Sequence, residues 1–270
     1  MFFKDKKCSN CETYYDETLT ECPKCHKNNE LFALNRLPKH VVFLHPVAQI
    51  GLFLAGFSLA GMLLAELFFA NIVSLIPSED LILKSTVLLF LTYAFMLGGL
   101  LSIVFLTRKS EFLKRFKQPV SYLYGLGYAI TIICVSVAIG AIISLMYTAE
   151  ESNVNQATAI AIAKGYPFLA YIILGLIGPI CEELTYRVGL YSFLRRINKY
   201  LAFAVTVAVF AFIHFDYTAE DIVNELWSLP SYLAAGFLLT LAYERRGPSC
   251  SILAHVLYNS FAFVMMLVQK

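Results

Sequence analysis

Apolar stretches near residues 41–76, 81–106, 119–147, 166–194, 200–215, 229–243 and 249–268 leave this chain few ways to fold. A bilayer core takes ~20 helical residues per crossing, so the pattern predicts seven crossings, with an eighth where the long first or fourth stretch divides. Composition agrees. With 59% hydrophobic and 15% charged residues and a mean hydropathy of +0.67, the charges are too few to cover a soluble surface. The expectation is an all-α polytopic membrane protein, with 7–8 transmembrane helices behind a small N-terminal module of different composition.

The net charge of +2 does not point to nucleic acid, because the basic residues fall in short clusters beside apolar runs. Arg108, Lys109, Lys114, Arg115 and Lys117 follow the second stretch, Arg195, Arg196 and Lys199 the fourth, and Arg245 and Arg246 the sixth. The alternate loops are poor in lysine and arginine and often acidic, as in Ser78-Glu79-Asp80 and Ala219-Glu220-Asp221. By the positive-inside rule the basic clusters face the cytoplasm, which places the amino terminus of a multi-pass cell-membrane protein inside.

The first forty residues differ in kind, and they hold no apolar run long enough for a secretory signal. Cys8-x2-Cys11 and Cys22-x2-Cys25 give two thiolate pairs, each able to chelate from one tight turn, and together they satisfy a tetrahedral Zn2+. A segment too short for a hydrophobic core would draw its folding energy from the metal. A disulfide is disfavoured in a reducing cytosol, and a redox Cys-x-x-Cys needs a larger domain. His26, next to Cys25, could replace one ligand, although four thiols suffice. Recruiting a cytosolic partner, regulating substrate access and capping the first helix are alternative roles for this module.

Within the fourth stretch stand two adjacent acids, Glu182 and Glu183, in Pro-Ile-Cys-Glu-Glu-Leu-Thr-Tyr-Arg. An ionised carboxylate at the bilayer centre costs at least ~2.5 kcal/mol, so such groups are rare and usually paired. Glu183 and Arg187 are i and i+4 and can neutralise each other, which leaves Glu182 pointing elsewhere as the reactive carboxylate. His214 and Glu182 lie equally far from Asn198, the expected turn between two antiparallel spans, so they reach the same depth. His255 and Asn259, again i and i+4, share one side of the last stretch and could donate to one developing negative charge. Rise alone puts His255 too shallow. A break at Gly178-Pro179 or an inset Gly247-Pro248 turn would correct its depth.

At these residues the chain resembles the CPBP family of CAAX proteases and bacteriocin-processing enzymes, also called the Abi family of intramembrane proteases. Its motifs E-E-x-x-x-R, F-x-x-x-H and H-x-x-x-N stand here as Glu182-Glu183 to Arg187, Phe210 to His214 and His255 to Asn259. Three motifs in order on separate apolar segments are specific where one alone is weak. One departure is Val188, where many members carry glycine. The resemblance, over roughly 166–268, implies an all-helical intramembrane endopeptidase that acts on a peptide or membrane-protein substrate. The first glutamate and the second motif's histidine would activate water, and the last histidine and asparagine would hold the oxyanion. Two histidines and a glutamate would also match a His2Glu zinc hydrolase, but Asn259 is a poor zinc ligand and no H-E-x-x-H helix is present. The metal-free glutamate mechanism is the preferred reading. The domain reading is then 1–35 zinc ribbon, 36–165 first transmembrane helices and 166–270 catalytic core.

Taken singly, an intramembrane histidine or asparagine is more often interhelical glue than a catalyst. Convergence on one site argues for function. A binding or immunity protein on the same scaffold and a proton-coupled transporter are the competing classes, although no inverted repeat is visible for the latter. Glu66 reads as an interface residue or a second polar site, and Cys134, Cys181 and Cys250 as small apolar residues.

Overall fold

A computed structural model describes residues 6–15, 21–27, 37–57, 59–147 and 154–268. Glu66 lies in a helix whose side chains between 59 and 66 are outside that description. At the amino end, β1 (Lys6–Lys7) and β2 (Tyr14–Tyr15) pair antiparallel, Lys6 opposite Tyr15. The helices that follow are α1 (Pro46–Phe57), α2 (Leu59–Ser74), α3 (Leu81–Arg115), α4 (Pro119–Met146), α5 (Val154–Gly165), α6 (Pro167–Arg195), α7 (Lys199–Phe212), α8 (Ile222–Arg246) and α9 (Pro248–Val268).

Among the described residues, α3, α4, α6, α8 and α9 are long and apolar enough to cross a membrane, while α1 and α7 are shorter apolar helices. The 41–76 stretch is divided, with α1 and α2 sharing it. Two boundaries differ from the hydropathy pattern. The basic run after the second stretch is helical: α3 continues to Arg115 through a kink at Arg108 (φ −145°, ψ 47°). Phe112 buries itself against Phe43, and Glu111 pairs with Lys114 and Arg115, so this end has both an apolar face and local ion pairs. α8 begins at Ile222 because Asp221 accepts the amides of Val223 and Asn224, and it passes straight through Pro230.

Helix α6 is central. Half of its most apolar window is buried, against 11% for α4, so α6 is ringed by protein and α4 faces outward. It is not a regular α-helix. Tyr171–Ile177 and Glu183–Tyr191 are wound with i→i−5 bonds: Gly178 N–H reaches Ile173 O, and Ser192 N–H reaches Arg187 O. In that wider register Pro179 should donate to Leu174 O, but proline has no N–H. Asn259 Nδ2 supplies the missing donor at 3.0 Å. The proline therefore produces an orphaned carbonyl that α9 fills, instead of a sharp break.

The second wide turn of α6 is gripped from outside the carboxy-terminal half. Gly189 lets α1 approach so closely that a Cβ there would stand 2.9 Å from Phe53 N and 3.1 Å from Gln49 O. Residues 37–45, just before α1, form a buried clasp beneath the ends of α6 and α8, with Leu37, Val41, Val42, Phe43 and Leu44 in the core. Val41 O accepts from Ser192 Oγ and Tyr243 OH, each at 2.9 Å, and Arg196 donates to Leu44 O and Gln49 Oε1. Glu244 takes Arg195 Nη2 at 3.0 Å and Tyr191 OH at 2.8 Å, while its own carbonyl accepts His40 Nε2. The turn at Gly247 (φ 78°) is buried under the same clasp, 2.9 Å from His40 O at the Cβ position.

Gly189→Ala should force α1 off α6 at a cost of about 1–3 kcal/mol, seen as a lower melting temperature of the purified protein in detergent. Gly51→Ala, where a Cβ meets nothing within 4 Å, should melt with the wild type.

Candidate functional site

Glu183 and Arg187 face each other inside the second wide turn of α6, with Oε1 and Nη1 3.0 Å apart and no solvent exposure on either side chain. Neither charge could stay there alone. Arg187 is held further by the Gly236 carbonyl of α8, 3.2 Å from Nη2, and by the face of Phe210, whose ring centre lies 4.3 Å from Cζ. Gly236 fits because a Cβ there would press to 3.0 Å on Phe210 Cδ1.

From α9, His255 Nδ1 lies 2.9 Å from Glu183 Oε1, so the carboxylate holds the N–H on that nitrogen. Its Nε2 faces Glu182 Oε2 at 3.7 Å, near enough for an ion pair but too long for a hydrogen bond. One imidazole thus joins both glutamates. Ser251, one turn earlier on α9, is fully buried.

His214 stands just past α7. Its Nδ1 is 2.8 Å from Phe210 O; a carbonyl only accepts, so Nδ1 carries the proton and Nε2 is the free lone pair. It makes no hydrogen bond or ion pair with Glu182. The link between them is Phe210, whose ring has His214 at 5.0 Å, His255 at 5.9 Å and Tyr186 at 5.7 Å between centroids. Asn259 spends one amide N–H on Leu174 O, as described, and keeps a second. The six intramembrane residues singled out by sequence therefore fall into a tight group (Glu182, Glu183, Arg187, His255), a flanking imidazole (His214) and an interhelical tie (Asn259).

Buried polar atoms cluster here. Of ten buried side-chain polar atoms with no aligned hydrogen-bond partner among the described residues, five are Glu182 Oε2, Glu183 Oε2, Arg187 Nε, Arg187 Nη1 and Ser251 Oγ. Such atoms are rare in proteins, and their mixed donor and acceptor character suits water or a polar substrate group. Sequence reasoning missed Ser251, Gly236, Glu225 and Tyr232. Ser251 alone had a signal, its one-turn spacing from His255.

In the amino-terminal module the four sulfurs of Cys8, Cys11, Cys22 and Cys25 lie within 4.8 Å of one another, and among the described residues no other group of His, Cys, Asp and Glu has metal-ligand spacing. The two halves repeat. Glu12 N–H bonds Cys8 O and His26 N–H bonds Cys22 O, and both Glu12 and His26 take positive φ, 57° and 56°. His26 is turned to Glu21, 3.4 Å away, and so does not join the thiols. Cys8 to Cys25 is 3.6 Å and Cys11 to Cys22 is 3.4 Å, near the ~3.8 Å edge of a tetrahedral zinc–thiolate set. The four cysteines can hold a metal ion. The hydroxyl and backbone of Thr13 hold the Cys11 thiol down to about 6, while burial pushes Cys22 up to about 11.

Residues 164–261 match the sequence model of the family described as type II CAAX prenyl endopeptidase Rce1-like. Two curated relatives come from Lactococcus lactis subsp. lactis (strain IL1403). The UPF0177 protein YvdC is 27% identical over 146 residues, covering 54% of this chain and 52% of the relative. The UPF0177 protein YbdI is 29% identical over 116 residues, covering 42% of this chain and 59% of the relative. The chain thus spans between half and three-fifths of the length of these relatives. No solved structure matches.

Arg187→Met should leave Glu183 as an unpaired buried charge and destabilise the protein by ~3–5 kcal/mol. Glu183→Gln should do comparable harm. The double variant should melt closer to the wild type than either single one, and additive losses would show that the pair is not the anchor described here.

Proposed function

We propose that this chain, whose residues 164–261 match the Rce1-like family model, is an intramembrane endopeptidase cutting a peptide or membrane-anchored substrate by activated water. The observation that carries this reading is the gathering of two carboxylates, a guanidinium and an imidazole in one buried cluster, in which Glu183 Oε2 and Arg187 Nε have no aligned hydrogen-bond partner among the described residues.

In the proposed reaction Glu182 takes a proton from water, and the water oxygen bonds to the scissile carbonyl carbon. His214 orients the water or the leaving amine through Nε2, and the proton passes to the amine as the C–N bond breaks. The carbonyl oxygen, negative in the tetrahedral intermediate, needs donors fixed in advance. Glu183 and Arg187 hold His255 in place. A proton on His255 leaves Glu182, Glu183, Arg187 and His255 together with no net charge and supplies an Nε2–H donor beside Glu182, and the second N–H of Asn259 is the companion donor. In this arrangement Glu183 is not a base, because its charge is spent on Arg187 and His255.

The chain is a membrane protein. Its placement in the cell membrane with the amino terminus in the cytoplasm rests on the distribution of lysine and arginine. The four-cysteine site fits Zn2+ in donor type, number and spacing; the ion would fasten β1, β2 and the two knuckles together. Nucleic acid has no role in this reading.

Membrane-fraction peptides that accumulate in wild-type cells and are lost in both Glu182→Ala and His214→Ala strains, with unchanged protein levels, are the expected outcome. A phenotype intact in Glu182→Gln would instead favour a non-catalytic scaffold. Purified protein should carry about one zinc per chain, and Cys22→Ser should lose it, by metal analysis alongside thiol titration.

A further inference from the structure

Helix α8 carries none of the three motifs, yet one stripe of it reaches the site: Glu225, Tyr232 and Gly236 are spaced i, i+7 and i+11. Gly236 holds Arg187. Glu225 is 2% exposed, and its Oε2 accepts the backbone N–H of Asp216, two residues beyond His214, at 3.3 Å. Between them, the ring of Tyr232 lies flat on the His214 imidazole, with centroids 4.5 Å apart and planes 18° apart. The Tyr232 hydroxyl is itself held by Asn155 Nδ2 at 3.1 Å, from the first turn of α5.

We propose that Tyr232, clamped by Asn155, is a positioning residue for His214 in the hydrolysis described above, on which reading this inference rests. Phe210 O restrains only one edge of the imidazole. A terminal histidine torsion is broad, so one hydrogen bond leaves the ring free to tilt. Stacking removes that remaining freedom, and the hydroxyl bond stops Tyr232 from following the imidazole. The Glu225 tie fixes the backbone just beyond. Together these contacts set where Nε2 of His214 points, a geometry in which an ångström's error is costly to rate. Tyr232 touches no reacting atom in this scheme and acts through His214 alone.

The test uses the full chain in detergent, with diethyl pyrocarbonate as the probe. The carbethoxylation rate of His214 is followed by peptide mass spectrometry across the imidazole titration range, with exposed His26 as internal reference. Tyr232→Leu should raise the His214 rate about three- to tenfold and displace its pH profile, the span that loss of one aromatic pair covers. Tyr232→Phe should restore most of the protection, because the ring is kept. Asn155→Ala, at an exposed helix start, should raise the rate about twofold, the effect of one modest hydrogen bond, and add nothing in a Tyr232→Phe background. Wild-type reactivity and pH profile in Tyr232→Leu, Tyr232→Phe as damaging as leucine, or additivity of Asn155→Ala with Tyr232→Phe would each overturn the proposal. The readout needs no substrate. Absence of Glu182-dependent peptides would therefore defeat the protease reading while leaving this result to stand or fall by itself.

Discussion

The Glu183–Arg187 pair is the constraint from which the rest follows, because two opposite charges with no solvent contact tolerate the loss of neither. Their demand for further partners draws in three other elements: the Gly236 carbonyl of α8, the ring of Phe210 from α7 and the imidazole of His255 from α9. Four helices are thereby bound to one point inside an apolar protein. Glu182 is the member left over. It is adjacent in sequence and 16% exposed at the side chain, and among the described residues the 3.7 Å approach of His255 is its ion-pair contact. A partly exposed carboxylate beside a fully paired one is the arrangement that two neighbouring glutamates on one helix acquire when only one of them is neutralised.

Helix α6 shows how backbone geometry serves the same end. Its two wide turns place carbonyls and side chains where a regular helix would not, and each is tied to a neighbour: the first through Asn259 on Leu174 O, the second through Ser192 and the close approach of α1 at Gly189. Asn259 illustrates why an intramembrane amide resists a single label. One of its N–H groups replaces the donor that Pro179 lacks, and the amide carries a second N–H besides.

Much of this was legible in the chain. Apolar runs located the spans because the bilayer imposes length and composition together, and the i, i+4 spacings of Glu183 with Arg187 and of His255 with Asn259 located their shared faces. The start of α8 was not legible from Pro230, since the Asp221 cap lies eight residues before the hydropathy rise. Residues 108–115 read as a charged loop, because charge alone does not reveal the apolar face that Phe112 gives this end of α3. Helix α5 gave no hydropathy signal. Tyr232 was invisible for another reason: a tyrosine on an apolar face looks the same whether it meets lipid or a histidine, and only the fold decides. Glu66 falls outside the described side chains.

The clasp of residues 37–45 has a consequence for where this protein's functional unit begins. Ser192, Arg196 and Tyr243 sit within the family-matched region, but the oxygens they donate to belong to Val41, Leu44 and Gln49. A fragment cut at the start of that region would bare a row of donors with no acceptors at the ends of α6 and α8. The segment ahead of the family-matched region is thus tied into it by these hydrogen bonds, and swapping it between relatives would mean transplanting its acceptors as well.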